Sequence, residues 1–170
     1  MNIYNYFRVF LNDTHPTLMA KKEIKPATIE EFQKQLRKHA MKVTPQRIAV
    51  HEAMMKLGHA SADMVVEEIG REGKGKVTVA SVYNILSQLA LKGIYRHRLS
   101  VNNKMYFDVN TAPHYHIYDT VNNSFRDLED EELLATIGAR LAGKKFRGYH
   151  IDGFDLQILC HPTVKKARAK

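Results

Sequence analysis

One cysteine, Cys160, in 170 residues is too few for an internal disulfide, or for zinc held on four thiolates of one chain. Any metal the chain binds must therefore use histidine and carboxylate side chains. Long apolar runs are also missing. The stretch from Ile85 to Leu91 is interrupted by Ser87 and Gln88 and falls far short of the roughly 20 residues a membrane span needs. The segment from Met1 to Leu11 holds aromatics and aliphatics, but it has no basic region before an apolar core and no small-residue cleavage site, so a secretory signal is not expected. These absences lead us to expect a cytoplasmic protein with no membrane partner.

What is present is a 44% apolar composition, enough for a packed core in one large domain or two small ones, and a formal charge of +8. The charge is uneven. Residues 28–109 carry 13 basic and 8 acidic side chains, a net +5, whereas residues 110–170 carry 9 and 8, a net +1. A basic first half suits a polyanion, although small basic proteins without nucleic-acid partners are common.

Residues 1–27 mix Asn, Lys, Pro and scattered aromatics without a sustained period and read as an extension. Thr28, followed by Glu30 and Glu31, opens a helix to about Ala40 with Ile29, Phe32, Leu36 and Ala40 on one face. Thr44 caps a second helix with Pro45 at its first position. Ile48, His51, Ala53, Met54, Met55 and Leu57 continue it until Gly58. Ser61 begins a third helix, closed by the Gly-Lys-Gly-Lys segment at 73–76. Thr78 opens a fourth, in which Val79, Val82, Leu86 and Leu89 form a core stripe before Gly93. Two short strands, Ile94 to Ser100 and Lys104 to Asp108, flank the turn Val101-Asn102-Asn103. Helices followed by a hairpin are the layout of a winged helix-turn-helix, or of another small α+β domain with the same order. In the first case the helix from Thr78 lies in the major groove.

After residues 110–113 the texture changes. Strands are expected at His114 to Asp119 and Ser124 to Leu128, a helix at Glu129 to Ala142 and a strand at Gly153 to Cys160. The expected class is thus α+β: a winged helix-turn-helix domain (28–109), a hinge (110–113), a small α/β dimerisation domain (114–164) and a basic tail (165–170). His114-Tyr115-His116 is the sharpest local feature, because side chains two apart on a strand share a face and two imidazoles there can bind one metal. Asp108 and Asp127 are acidic candidates nearby. The alternative is a pair of surface histidines flanking an aromatic.

Five fragments in register resemble the ferric uptake regulator family: Val43-Thr44-Pro45-Gln46-Arg47, Gly58 to Asp63, Val77 to Leu89, Tyr106-Phe107-Asp108 and Pro113 to His116. The resemblance covers roughly residues 36–160. It implies a metal-dependent repressor with an N-terminal DNA-binding domain, a C-terminal dimerisation domain, and a regulatory metal bound by His59, Asp108, His114, His116 and Asp127. A set of His and Asp ligands suits Fe2+, Mn2+ or Zn2+. For DNA, the resemblance points to Ser81, Tyr83, Asn84, Ser87 and Gln88. Tyr83 would meet thymine methyls, and Asn84 or Gln88 would read adenine edges in an A·T-rich, palindromic operator. Lys42, Arg47, Lys74 and Lys76 are candidates for phosphate contacts. The expected assembly is a homodimer, with higher oligomers possible.

The sequence departs from the family pattern in several places. The positions of two C-x-x-C pairs hold Asp119 and Asn122, and Cys160 and Thr163, so no structural zinc on four cysteines is expected. Pro113 and Tyr115 cannot ligate at a further family metal site, although Glu131 or Glu132 with His150 could form a reduced one. Asn84 replaces an Arg common in the family. The rival readings are a metal-independent DNA-binding module and a His/Asp metal-dependent hydrolase. The residues show no general base or oxyanion donors set by motif that would favour an enzyme.

Overall fold

A computed structural model describes residues 28–73, 75–111, 114–128, 130–149 and 154–163. The extension at 1–27, the tail at 165–170, Lys74, Pro113 and His150 lie outside the described residues. The chain divides into two compact units that part between Ala112 and Pro113.

The first unit opens with four helices whose starts are set locally. In α1 (Ile29–Lys38) the Thr28 side chain accepts from Glu31 N, and the Glu31 carboxylate accepts from Thr28 N. Phe32 and Leu36 are buried, but Ala40 lies beyond the helix at φ 55 and is exposed, so the expected apolar face is one turn shorter. In α2 (Pro45–Leu57), Thr44 Oγ1 accepts from Arg47 N at 3.3 Å, and Gly58 at φ 68 ends the helix, a conformation that L side chains rarely adopt. α3 (Ala62–Arg71) follows. α4 (Val79–Leu91) starts at Thr78, whose hydroxyl accepts from Ser81 N. Val82, Leu86 and Leu89 of α4 are fully buried, whereas Val79 is 44% exposed. Periodicity finds a helix face; it does not say how far along that face neighbours extend.

His51 of α2 takes an apolar position in the core. Its ring stacks on Phe32 at 3.9 Å, and its Nδ1 lies 2.7 Å from the Tyr95 hydroxyl, whose pKa burial pushes well above the usual phenol value. Ile94 and Tyr95 belong to this core rather than to the hairpin, which consists of β2 (Arg96–Leu99) and β3 (Met105–Asp108). A further strand, β1 (His59–Ala60), pairs with the other edge of β3, giving the order β1-β3-β2. Asp108 sits opposite His59 on one side and Arg96 on the other.

The second unit is a three-stranded sheet of order β5-β4-β6 with one helix. β4 (Tyr115–Asp119) and β5 (Ser124–Leu128) are antiparallel, with Asn123 at φ 51 in the turn between them. α5 (Glu131–Leu141) is capped by Asp130, whose carboxylate accepts from Leu133 N at 2.8 Å. The chain then returns to β6 (Gln157–Cys160), parallel to β4 and shorter than the sequence suggested. No residue of α5 is buried. The apolar core here is Tyr115, Tyr118 and Phe125, with the Tyr115 ring stacked on Phe154 at 4.9 Å. Burial, and then the nearby Asp155 charge, raise the Tyr115 pKa. Among the described residues, no helix of the protein is long and apolar enough to cross a membrane.

Candidate metal and nucleic-acid sites

Each unit carries its own set of potential ligands. In the second, β4 and β5 pair with His116 opposite Asp127, and His114 stands just before β4, on the same side as His116. The two imidazole centroids lie 4.4 Å apart. Asp127 Oδ1 lies 3.4 Å from His114 Nε2 and 3.9 Å from His116 Nε2. Two atoms bound to one ion at about 2.1 Å stand roughly 3–4 Å apart, so these three donors have the spacing a divalent ion requires. His116 is buried, and its ring meets the Phe125 ring edge-on at 5.8 Å, which limits its freedom to turn.

In the first unit, strand pairing brings His59 beside Asp108, with Nε2 to Oδ2 at 3.2 Å. The other carboxylate oxygen of Asp108 accepts from Asn110 N at 2.7 Å. Arg96, the neighbour of Asp108 on β2, donates through Nη2 to the carbonyl of Thr111. Asp108 is thus fixed from the strand on either side and from the chain that follows it. His59 owes its place to β1, a two-residue strand with no signature in the sequence. Glu131 and Glu132 are exposed in the first turn of α5.

The residues expected at DNA fall into two groups. Tyr83, Asn84 and Gln88 are exposed on α4, with Asn84 and Gln88 one turn apart. Tyr83 is 43% exposed and sets its ring edge-on to Phe107 at 6.0 Å. Lys42 and Lys76 are exposed, and Ser87 is half-buried. Ser81 is engaged locally: its hydroxyl accepts from Thr78 N at 3.2 Å and donates to Thr78 O at 2.9 Å, so its only proton is already used. Arg47 is half-buried. It donates from Nη1 to Lys42 O at 2.5 Å and from Nη2 to Gln88 Oε1 at 2.8 Å. No sequence pattern signals this pairing, since Arg47 and Gln88 lie on different helices.

Residues 38–158 match the model of the ferric uptake regulator family. The peroxide-responsive repressor PerR of Staphylococcus epidermidis is 31% identical over 113 residues, covering 63% of this chain and 75% of that protein. Among solved structures, the Vibrio cholerae ferric uptake regulator is similar with a TM-score of 0.66 at 19% identity, covering 77% of this chain and 99% of that one. The Campylobacter jejuni peroxide stress regulator is similar with a TM-score of 0.55 at 24% identity, covering 80% and 99%. At these identities the structures speak for the fold. The family match spans most of the chain, including both sets of potential ligands and the whole of α4. The chain belongs to the ferric uptake regulator family of metal-dependent transcriptional regulators.

Proposed function

We propose that a divalent ion bound by His59, Asp108, His114, His116 and Asp127 sets the affinity of a homodimer of this chain for its operator. The carrying observation is the spacing of His114, His116 and Asp127 on β4 and β5, which presents three donors to one ion. His59 and Asp108 would complete the set, and all five donor atoms are nitrogen or oxygen, which suits Fe2+, Mn2+ or Zn2+. The bound ion would supply charge and a fixed ligand geometry. The chain's own residues do the rest: Phe125 holds the His116 ring, and Asn110 and the β3 pairing hold Asp108. Ligands drawn from both units make binding a conformational switch, because a metal that prefers one arrangement of the units shifts the population toward it.

At the DNA, α4 enters the major groove with Tyr83, Asn84 and Gln88 toward the bases, and Lys42 and Lys76 approach phosphates. The operator is palindromic, matching a two-fold dimer, and A·T-rich. The peroxide-responsive relative favours a role in the oxidative stress response over metal supply alone. The test is quantitative binding of the full chain to a genomic DNA library with Fe2+, Mn2+ or Zn2+ and with chelator, at a stated salt concentration. Selective binding with metal and its loss on chelation are expected. Selective binding that ignores the chelator would overturn the switch.

A further inference from the structure

Arg47 and Gln88 are both among the residues expected at DNA, yet they bond to each other. We infer that Arg47 is a positioning residue for base recognition: it captures the Gln88 side-chain oxygen, so that Gln88 presents its amide N–H as a donor to the base it faces. The inference rests on the reading of α4 as the major-groove helix.

The orientation of the amide follows from chemistry. A guanidinium has five N–H donors and no acceptor, so the Gln88 atom 2.8 Å from Arg47 Nη2 must be oxygen. The amide nitrogen is then left for the exposed side of α4, where Gln88 stands one turn beyond Asn84. Arg47 is itself anchored. Its Nη1 donates to Lys42 O, and its backbone N donates to the Thr44 cap at the start of α2. The clamp therefore joins the first turn of α2 to the last turns of α4. With the oxygen engaged, the two-point pairing that an unrestrained Gln makes with adenine, donor to N7 and acceptor from N6, is disfavoured. A donor alone matches guanine N7 or O6, thymine O4 and, by one bond only, adenine N7, and it opposes the cytosine amino group. Arg47 in turn spends two of its donors inside the protein, which sets it apart from a phosphate contact such as exposed Lys42.

The experiment compares the metal-loaded full chain with Arg47→Leu, Arg47→Lys and Gln88→Glu in binding to a library randomised across one operator half-site, at two salt concentrations. The parent should prefer guanine or thymine over cytosine at one position by about fivefold, the low end of discrimination by a single base contact. Arg47→Leu should flatten that position and leave the others intact. Arg47→Lys should do the same, because an ammonium keeps the charge but not the planar fork that bridges both acceptors. Gln88→Glu retains an acceptor for Arg47 but loses the N–H, and should move the preference to cytosine. If Arg47→Leu weakens all sequences alike and lowers the salt slope by about one, with base preference unchanged, Arg47 is a phosphate contact and the inference is overturned. If binding is selective but neither Gln88→Glu nor Asn84→Ala alters the preference, the reading of α4 fails, and the inference with it.

Discussion

Fifteen buried apolar side chains from α1 to β3 form one cluster in the first unit, whereas the described residues of the second bury only Tyr115, Tyr118 and Phe125 among their apolar side chains. The second unit gives its other buried positions to His114 and His116, leaves Ile158, Leu159 and Phe146 exposed, and buries nothing from α5. Burial of apolar area is the main term favouring a fold, so the first unit carries its own stability and the second is underfilled as a single copy. The members of this family are dimers, and a second copy can cover apolar surface that one copy leaves in water.

The contrast can be broken most severely in the first unit. Leu86→Ala should cost about 3 kcal/mol, because a fully buried leucine leaves a cavity in a close-packed cluster, and a denaturant melt would register it. Leu159→Ala on the exposed strand should cost under about 0.5 kcal/mol in dilute protein while weakening self-association, as sedimentation would show. Equal destabilisation by the two would erase the distinction. His116→Ala should next weaken metal-dependent operator binding by about 10- to 100-fold, as loss of even the groups supporting a metal ligand does, and calorimetric titration with Mn2+ would separate this from misfolding. Tyr95→Phe removes the hydroxyl 2.7 Å from buried His51 Nδ1 and should cost about 1–2 kcal/mol, read from the melting of the first unit.

The smallest effect belongs to the second unit's turn. Asp119 accepts from Val121 N, Asn122 N and Asn122 Nδ2, and the side-chain bond from Asn122 leads in holding its carboxyl below the ordinary aspartate pKa. A lowered folded pKa means the stabilisation is present above the unfolded value and lost as pH falls through the folded one. Melting below about pH 4 should therefore be less steep with pH in Asp119→Asn. An unchanged acid limb would show that these bonds do not hold the turn.

The caps at Thr28, Thr44 and Thr78 were legible because a cap is written within four residues. The strand pairings around His114, His116 and Asp127 were legible for a similar reason, since alternation and a short turn fix the register of β4 against β5. β1 was not, because two residues become a strand only when β3, far along the chain, lies beside them. Ser81 was placed at the groove by the family resemblance, which carries no trace of its bond to Thr78. Arg47 and Gln88 lie 41 residues apart, and no local rule joins them. What sequence leaves out is side-chain partnership between separate elements, and that partnership decides which polar groups remain available for a ligand.

α2 begins at Pro45, two residues before Arg47, and ends at Leu57, with Gly58 capping it immediately ahead of His59. At 1.5 Å per residue its thirteen residues make a rod about 20 Å long. Arg47 rides near one end and His59 follows the other, so the grip on Gln88 and the proposed metal ligand share a single stiff carrier. Gly58 is its joint. It is not a loose one: Gly58 N donates back to Met54 O at 2.8 Å, and Gly58 O accepts from Val109 N at 3.5 Å, so the turn into His59 is tied to the helix behind it and to the chain beyond β3.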